Sequence, residues 1–139
     1  MKQNKFWLKL IGVAFLLHVV LILLSILEVA IYSSLIVPGK NEAFYKGHAE
    51  ISGPWISGIF GSLFIFLLVR RFIKKNNGHR LTYTIAFPFI YIIMDILMLL
   101  PFQINWKEHF PVFVIANGAK IISSLIAYYI YKPKANVIK

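Results

Sequence analysis

Cysteine is absent from the 139 residues, which excludes disulfide staples, thiolate nucleophiles and cysteine-held metal or iron–sulfur centres. Acid is nearly as scarce. Five Asp and Glu stand against 15 Lys and Arg, and charged residues make up only 14% of the chain, where about 25% is usual in soluble domains. Phosphate-binding glycine loops, an HExxH helix, a nucleophile elbow and a dinucleotide fingerprint are all missing. These absences remove nucleotide chemistry, thiol redox chemistry and the commoner hydrolase designs.

Apolar residues are what the chain has in excess, at 59%. A length near 140 residues suits one domain, 1–139, with room for about four membrane crossings of roughly 20 residues each. The apolar runs fall over approximately 10–35, 51–69, 81–100 and 111–131. The first is too long for the apolar region of a secretory signal, which is about 7–15 residues, and reads as a retained helix. The expected fold is therefore all-α, an integral membrane four-helix bundle.

The basic residues are distributed unevenly between the connections. Lys2, Lys5 and Lys9 precede span one, Arg70, Arg71, Lys74, Lys75 and Arg80 join spans two and three, and Lys132, Lys134 and Lys139 follow span four. The other two connections hold Lys40, Lys46 and Lys107 together with Glu42, Glu50 and Glu108. Since basic connections are retained inside, this predicts a multi-pass protein of a cell (plasma or inner) membrane with both termini cytoplasmic. Trp7, Tyr128, Tyr129 and Tyr131 then fall at the inner boundary and Trp55 and Trp106 near the outer one, as aromatic belts do. On this reading the net charge of +10 is topological. Its expected partner is an anionic headgroup surface, with no nucleic acid.

Span two carries a face almost without side chains: Gly53, Ser57 and Gly61 recur every four residues, and Pro54, Gly58 and Ser62 do so one position later. Small-xxx-small faces let helices approach closely in lipid. Gly53, Ser57, Gly58, Gly61 and Ser62 are thus expected to pack a helix of the same chain, with a homo-oligomer or a membrane partner chain as the sharper alternative. Pro54, placed near the helix start, costs little there because first-turn amides have no helical partner.

Ionisable groups inside the spans are the candidate site. Asp95 interrupts the run "IYIIMDILMLL". At a rise of about 1.5 Å per residue it lies roughly 8 Å below the outer edge, and Asn117 and Lys120 lie roughly 9 and 13 Å below the same edge. Asn117 and Lys120 share a helix face, as do Tyr91 and Asp95. Opposite charges at matching depth are expected to meet, because an isolated one costs at least about 2.5–3.5 kcal/mol at mid-bilayer. Lys120, helped by Asn117 and Tyr91, is the expected partner of Asp95. Glu28 lies in the outermost turns of span one. His18, near mid-depth, is expected to bond a neighbouring helix. His48 and Glu50 are read as an outer loop rimming a cavity over the Asp95 group, with Glu50 also capping span two. His48, Glu50, Glu108 and His109 form no convincing metal set, so no metal and no cofactor is expected.

In length and span number the chain resembles the small multidrug-resistance transporters, but it has His18 where that family carries a glutamate in its first helix. Two function classes follow. One is an outward-facing intramembrane pocket that binds or moves a small molecule, a lipid or a proton. The other is a non-catalytic assembly, immunity-type or accessory subunit acting through helix packing. An enzyme acting on lipid is the weaker expectation, since no nucleophile stands out.

Overall fold

The computed structural model describes residues 2–75, 77–102 and 106–131. Lys132, Lys134 and Lys139, assigned above to the cytoplasmic face, lie outside the described residues, as do the side chains of Lys2 and Trp106. Four helices account for nearly all of the described chain: α1, Lys2–Ile31; α2, Glu42–Lys75; α3, Arg80–Leu99; and α4, Trp106–Ile130. Each is long and apolar enough to cross a membrane.

Helix α1 contains no proline and is apolar on every side, the pattern of a helix with no aqueous face. It continues as one widened turn, Tyr32–Ile36, whose last bond is from the Val37 N–H to the Tyr32 carbonyl, and Pro38, which has no N–H to extend the ladder, comes next. Gly39 then reverses the chain at φ 82°, a left-handed conformation that favours glycine. Asn41 starts α2 by accepting the Phe44 N–H on its side-chain oxygen at 3.0 Å, a standard N-cap. The Tyr45 hydroxyl closes the turn, donating to the Val37 carbonyl at 2.7 Å and accepting from the Lys40 N–H at 3.0 Å.

Because of this cap, α2 begins nine residues earlier than the apolar run at 51. The stretch around His48 and Glu50, expected as a loop, is helical. Glu50 therefore does not cap the helix, and Pro54 lies well inside it rather than at its start. Helices in lipid tolerate such prolines where neighbouring groups take over the freed carbonyl. The same substitution is visible in α3. Pro88 leaves the Thr84 carbonyl without its helical donor, and the Ser124 hydroxyl of α4 donates to that carbonyl at 2.6 Å.

Side-chain contacts set the arrangement. Helix α1 meets α2 antiparallel, with Leu21 against Gly61, and meets α3 parallel, with Phe6 on Tyr83 and His18 on Tyr91. The closest pair, α2 and α4, is parallel, with Gly58 on Ala116 and Gly61 on Lys120. Arg80, at the start of α3, donates to the Tyr128 carbonyl at 3.2 Å and to that of Tyr131, so it satisfies carbonyls that the end of α4 leaves free. The start of α1, the end of α2, the start of α3 and the end of α4 therefore share one end of the bundle, called here the basic end.

Burial is confined to that half. The buried residues of α1 lie between Leu10 and Leu21, those of α2 between Gly61 and Ile73, those of α3 between Tyr83 and Tyr91, and those of α4 between Ala116 and Ala127. Phe72 packs against Tyr83 and Phe87 with centroids 5.2 and 5.5 Å apart. In the far half, no described side chain is buried.

Candidate functional site

Two polar clusters occupy the bundle, one at the boundary between the halves and one in the far half. Asp95 of α3 and Asn117 and Lys120 of α4 meet at the boundary, as their depths predict. The Lys120 side chain, 0% exposed, crosses to α2. Its ammonium donates to Ser57 at 2.9 Å and to the Asn117 side-chain oxygen at 3.2 Å, and it lies 4.5 Å from the centre of the Tyr91 ring. Gly61 makes that crossing possible, since a Cβ there would lie 2.8 Å from the Lys120 Cε. Gly61 and Ser57, expected as bare packing positions, thus serve a buried charge. Gly58 does pack, with Ala116 at 3.4 Å from its would-be Cβ, whereas Gly53 faces open space.

His18 joins this cluster from α1. Its ring stacks on Tyr91 with centroids 3.9 Å apart. Nδ1 is 2.9 Å from the Ala14 carbonyl, a group that only accepts, so Nδ1 carries a proton and donates. Nε2 has no hydrogen-bond partner among the described residues and points at Asp95, 3.7 Å from Oδ1. The hydrogen bond expected from His18 to a neighbouring helix is not made: the ring bonds its own helix at Ala14 and meets α3 by stacking on Tyr91 and facing Asp95, a contact that only the proximity of α1 and α3 reveals.

Asp95 is held loosely for a carboxylate inside a bundle. Its three polar neighbours, the Asn117 Nδ2, the His18 Nε2 and the Lys120 Nζ, stand at 3.5, 3.7 and 3.9 Å, at or beyond the limit of a useful hydrogen bond. Its side chain is 20% exposed, against 5% for His18 and 0% for Lys120. The acid is therefore the most exposed of the three.

The second cluster is built by the early start of α2. Glu28 of α1 accepts from His48 at 2.7 Å and from Ser52 at 2.9 Å, one bond on each carboxylate oxygen. His48 stacks flat on Tyr32, 3.6 Å between centroids. The signal was present in the spacing: His48 and Ser52 are one turn apart, so a helix continued backward from Ile51 presents both to one neighbour. Glu50 is exposed and belongs to neither cluster. Along α1, Glu28 is ten residues from His18, about 15 Å, so the two clusters stand at different depths. Among the described residues, no three His, Asp or Glu side chains converge as metal ligands would.

Below the boundary, Thr84 and Ser124 continue the polar line, but their hydroxyls are spent on the carbonyls of Arg80 and Thr84. Leu17, Ile65, Val69 and Phe87 close the core around them. The molecule so defined is an all-helical bundle with a buried charge cluster at its midpoint, packed on one side of that cluster and unpacked on the other. No family model, curated protein or solved structure matches the chain.

Proposed function

We propose that this chain is an integral protein of a cell membrane, with α1 to α4 as its spans and both termini cytoplasmic, and that the Asp95 cluster binds a small polar molecule or a proton arriving from the opposite side. The orientation rests on the basic residues gathered at one end of the bundle, where the anionic headgroups of the cytoplasmic leaflet would attract them. Because the chain has no native cysteine, single-cysteine variants test it cleanly. An impermeant maleimide added to intact cells should label Lys46→Cys and should label Lys75→Cys only after permeabilisation; the reverse pattern overturns the orientation.

The observation that carries the binding site is the state of Asp95: under-bonded, partly exposed and set where the packed half ends. An intramembrane carboxylate is costly unless paired, and here every pairing distance is long. Bringing a donor to Asp95 satisfies it. Native mass spectrometry of the protein in mild detergent, wild type beside Asp95→Asn, tests this. A retained non-peptide mass that disappears in the variant is the expected result. A mass retained equally by both would move the site elsewhere.

One observation favours a second reading, an accessory subunit or homo-oligomer acting through helix packing. A groove of about 220 Å³ runs between α2 and α4 on their outer surface, lined by Pro54, Gly58, Ser62, Ala116 and Ala119. On that reading, the same mass spectra would show a second polypeptide or a second copy of the chain, and crosslinks would pass through Pro54 or Ser62 rather than through the occupied Ser57 and Gly61.

A further inference from the structure

The ligand class follows from a conflict of acceptors at the site. Since His18 spends its Nδ1 proton on the Ala14 carbonyl, the Nε2 of its neutral form is a lone pair. That lone pair faces a carboxylate oxygen at 3.7 Å. Two acceptors held face to face repel unless a donor stands between them. Nε2 is buried and has no partner among the described residues, so nothing described there supplies that donor.

Charge narrows the choice. All five acids of the chain lie in the far half or at its boundary, with Glu42, Glu50 and Glu108 exposed; the two held in the clusters are Glu28, 33% exposed, and Asp95, 20% exposed, whereas Lys120 is fully buried. The exposed Lys40, Lys46 and Lys107 belong to the far-end connections, but at the two clusters themselves an anion would meet carboxylates and no exposed cation. A proton shared between Nε2 and the carboxylate also relieves the conflict of acceptors; a molecule that relieves it instead is a cation with at least two N–H or O–H groups on one atom, able to reach Asp95 and His18 together. A quaternary ammonium meets the first condition and fails the second.

We infer that the Asp95–His18 pair takes the head of a small primary ammonium ion, one N–H donated to the partly exposed Asp95 Oδ1 and another to the buried His18 Nε2, which the ion reaches as the ring and the acid move apart. This rests on the binding-site reading above and gives its ligand class. Tyr91 stacks behind His18 and keeps the imidazole edge-on to Asp95, and Lys120, held by Ser57 and Asn117, stays outside the pair. Glu28 and His48 lie about 15 Å further out along α1, on the path by which such a cation would arrive.

The test is a titration of the detergent-solubilised full chain at pH 7 and constant ionic strength with propylammonium, tetramethylammonium and propionate, followed by calorimetry and by melting temperature. Propylammonium should bind saturably and raise the melting temperature, while the other two should do neither. Asp95→Asn should weaken propylammonium about tenfold or more, the loss of one charge-assisted bond. His18→Phe keeps a ring on Tyr91 while removing the Nε2 acceptor and the Nδ1 bond to the Ala14 carbonyl, so it should weaken propylammonium binding severalfold and reduce the rise in melting temperature that the ligand gives, whatever its effect on the ligand-free protein. Equal binding of tetramethylammonium would overturn the two-donor geometry, and undiminished propylammonium binding in both variants would overturn the location. If a retained mass is lost in Asp95→Asn but is not an amine, the site stands and the ammonium assignment falls. If no mass is retained and no ammonium binds, both fall.

Discussion

The two halves of this bundle are made of the same four helices and similar apolar composition, yet one half is packed and the other is not. At the basic end, rings fill the space between helices: Phe72, Tyr83 and Phe87 interlock, and Arg80 ties the start of α3 to the end of α4. In the far half, α1 and α2 are joined through Glu28 and the stacked Tyr32–His48 pair, and no described residue is buried. The difference teaches that apolar content does not itself close a core. Association in lipid depends on shape and on hydrogen bonds between helices, and both are concentrated at one end.

The contrast is broken or sharpened by matched substitutions. The largest effect is expected from Phe87→Ala, which empties a site that is 0% exposed. A loss of about 3–5 kcal/mol in detergent unfolding should follow, while Phe89→Ala, 53% exposed, should fall within about 0.5 kcal/mol. Equal effects would mean that the packed half is not a core. Next comes Gly61→Ala, whose methyl group would press on Lys120. Overpacking of this kind costs about 1–3 kcal/mol, and Gly53→Ala, with open space around it, should be neutral or slightly stabilising.

Ser124→Ala should be smaller again, about 1–2 kcal/mol, because it leaves the buried Thr84 carbonyl without a donor. Restoring the backbone N–H with Pro88→Ala should reduce that cost, and a double-mutant cycle reads the coupling directly. The smallest effect belongs to Ser52→Ala in the far half, where water can replace the lost bond to the partly exposed Glu28, and less than about 1 kcal/mol is expected. A larger loss there than at Ser124 would reverse the ranking of the two halves.

Much of the site was legible before any coordinates. Depth counted from the span ends brought Asp95 and Asn117 to one level with Lys120 and Tyr91 about a turn deeper, because the rise per residue is constant in every helix. Distance along one helix says nothing about which neighbour a face meets, so His18 was placed at the right depth and left without its acid. The early start of α2 was missed because the span was drawn from the apolar run that opens at Ile51, whereas Asn41 and the Tyr45 hydroxyl secure a first turn outside that run.

The order of apolar and basic residues along the chain determined that it makes four apolar helices with its basic connections at one end, because hydropathy and charge are properties of residues and need no tertiary neighbours. Which helices touch was decided only in three dimensions. Pairing α2 in parallel with α4 turned Gly61 from a packing position into space for Lys120. Pairing α1 with α3 set an imidazole lone pair against a carboxylate, and pairing α3 with α4 let Ser124 answer the carbonyl that Pro88 had released. Each of these is a distance between residues far apart in the chain, and local preference has no means of setting it.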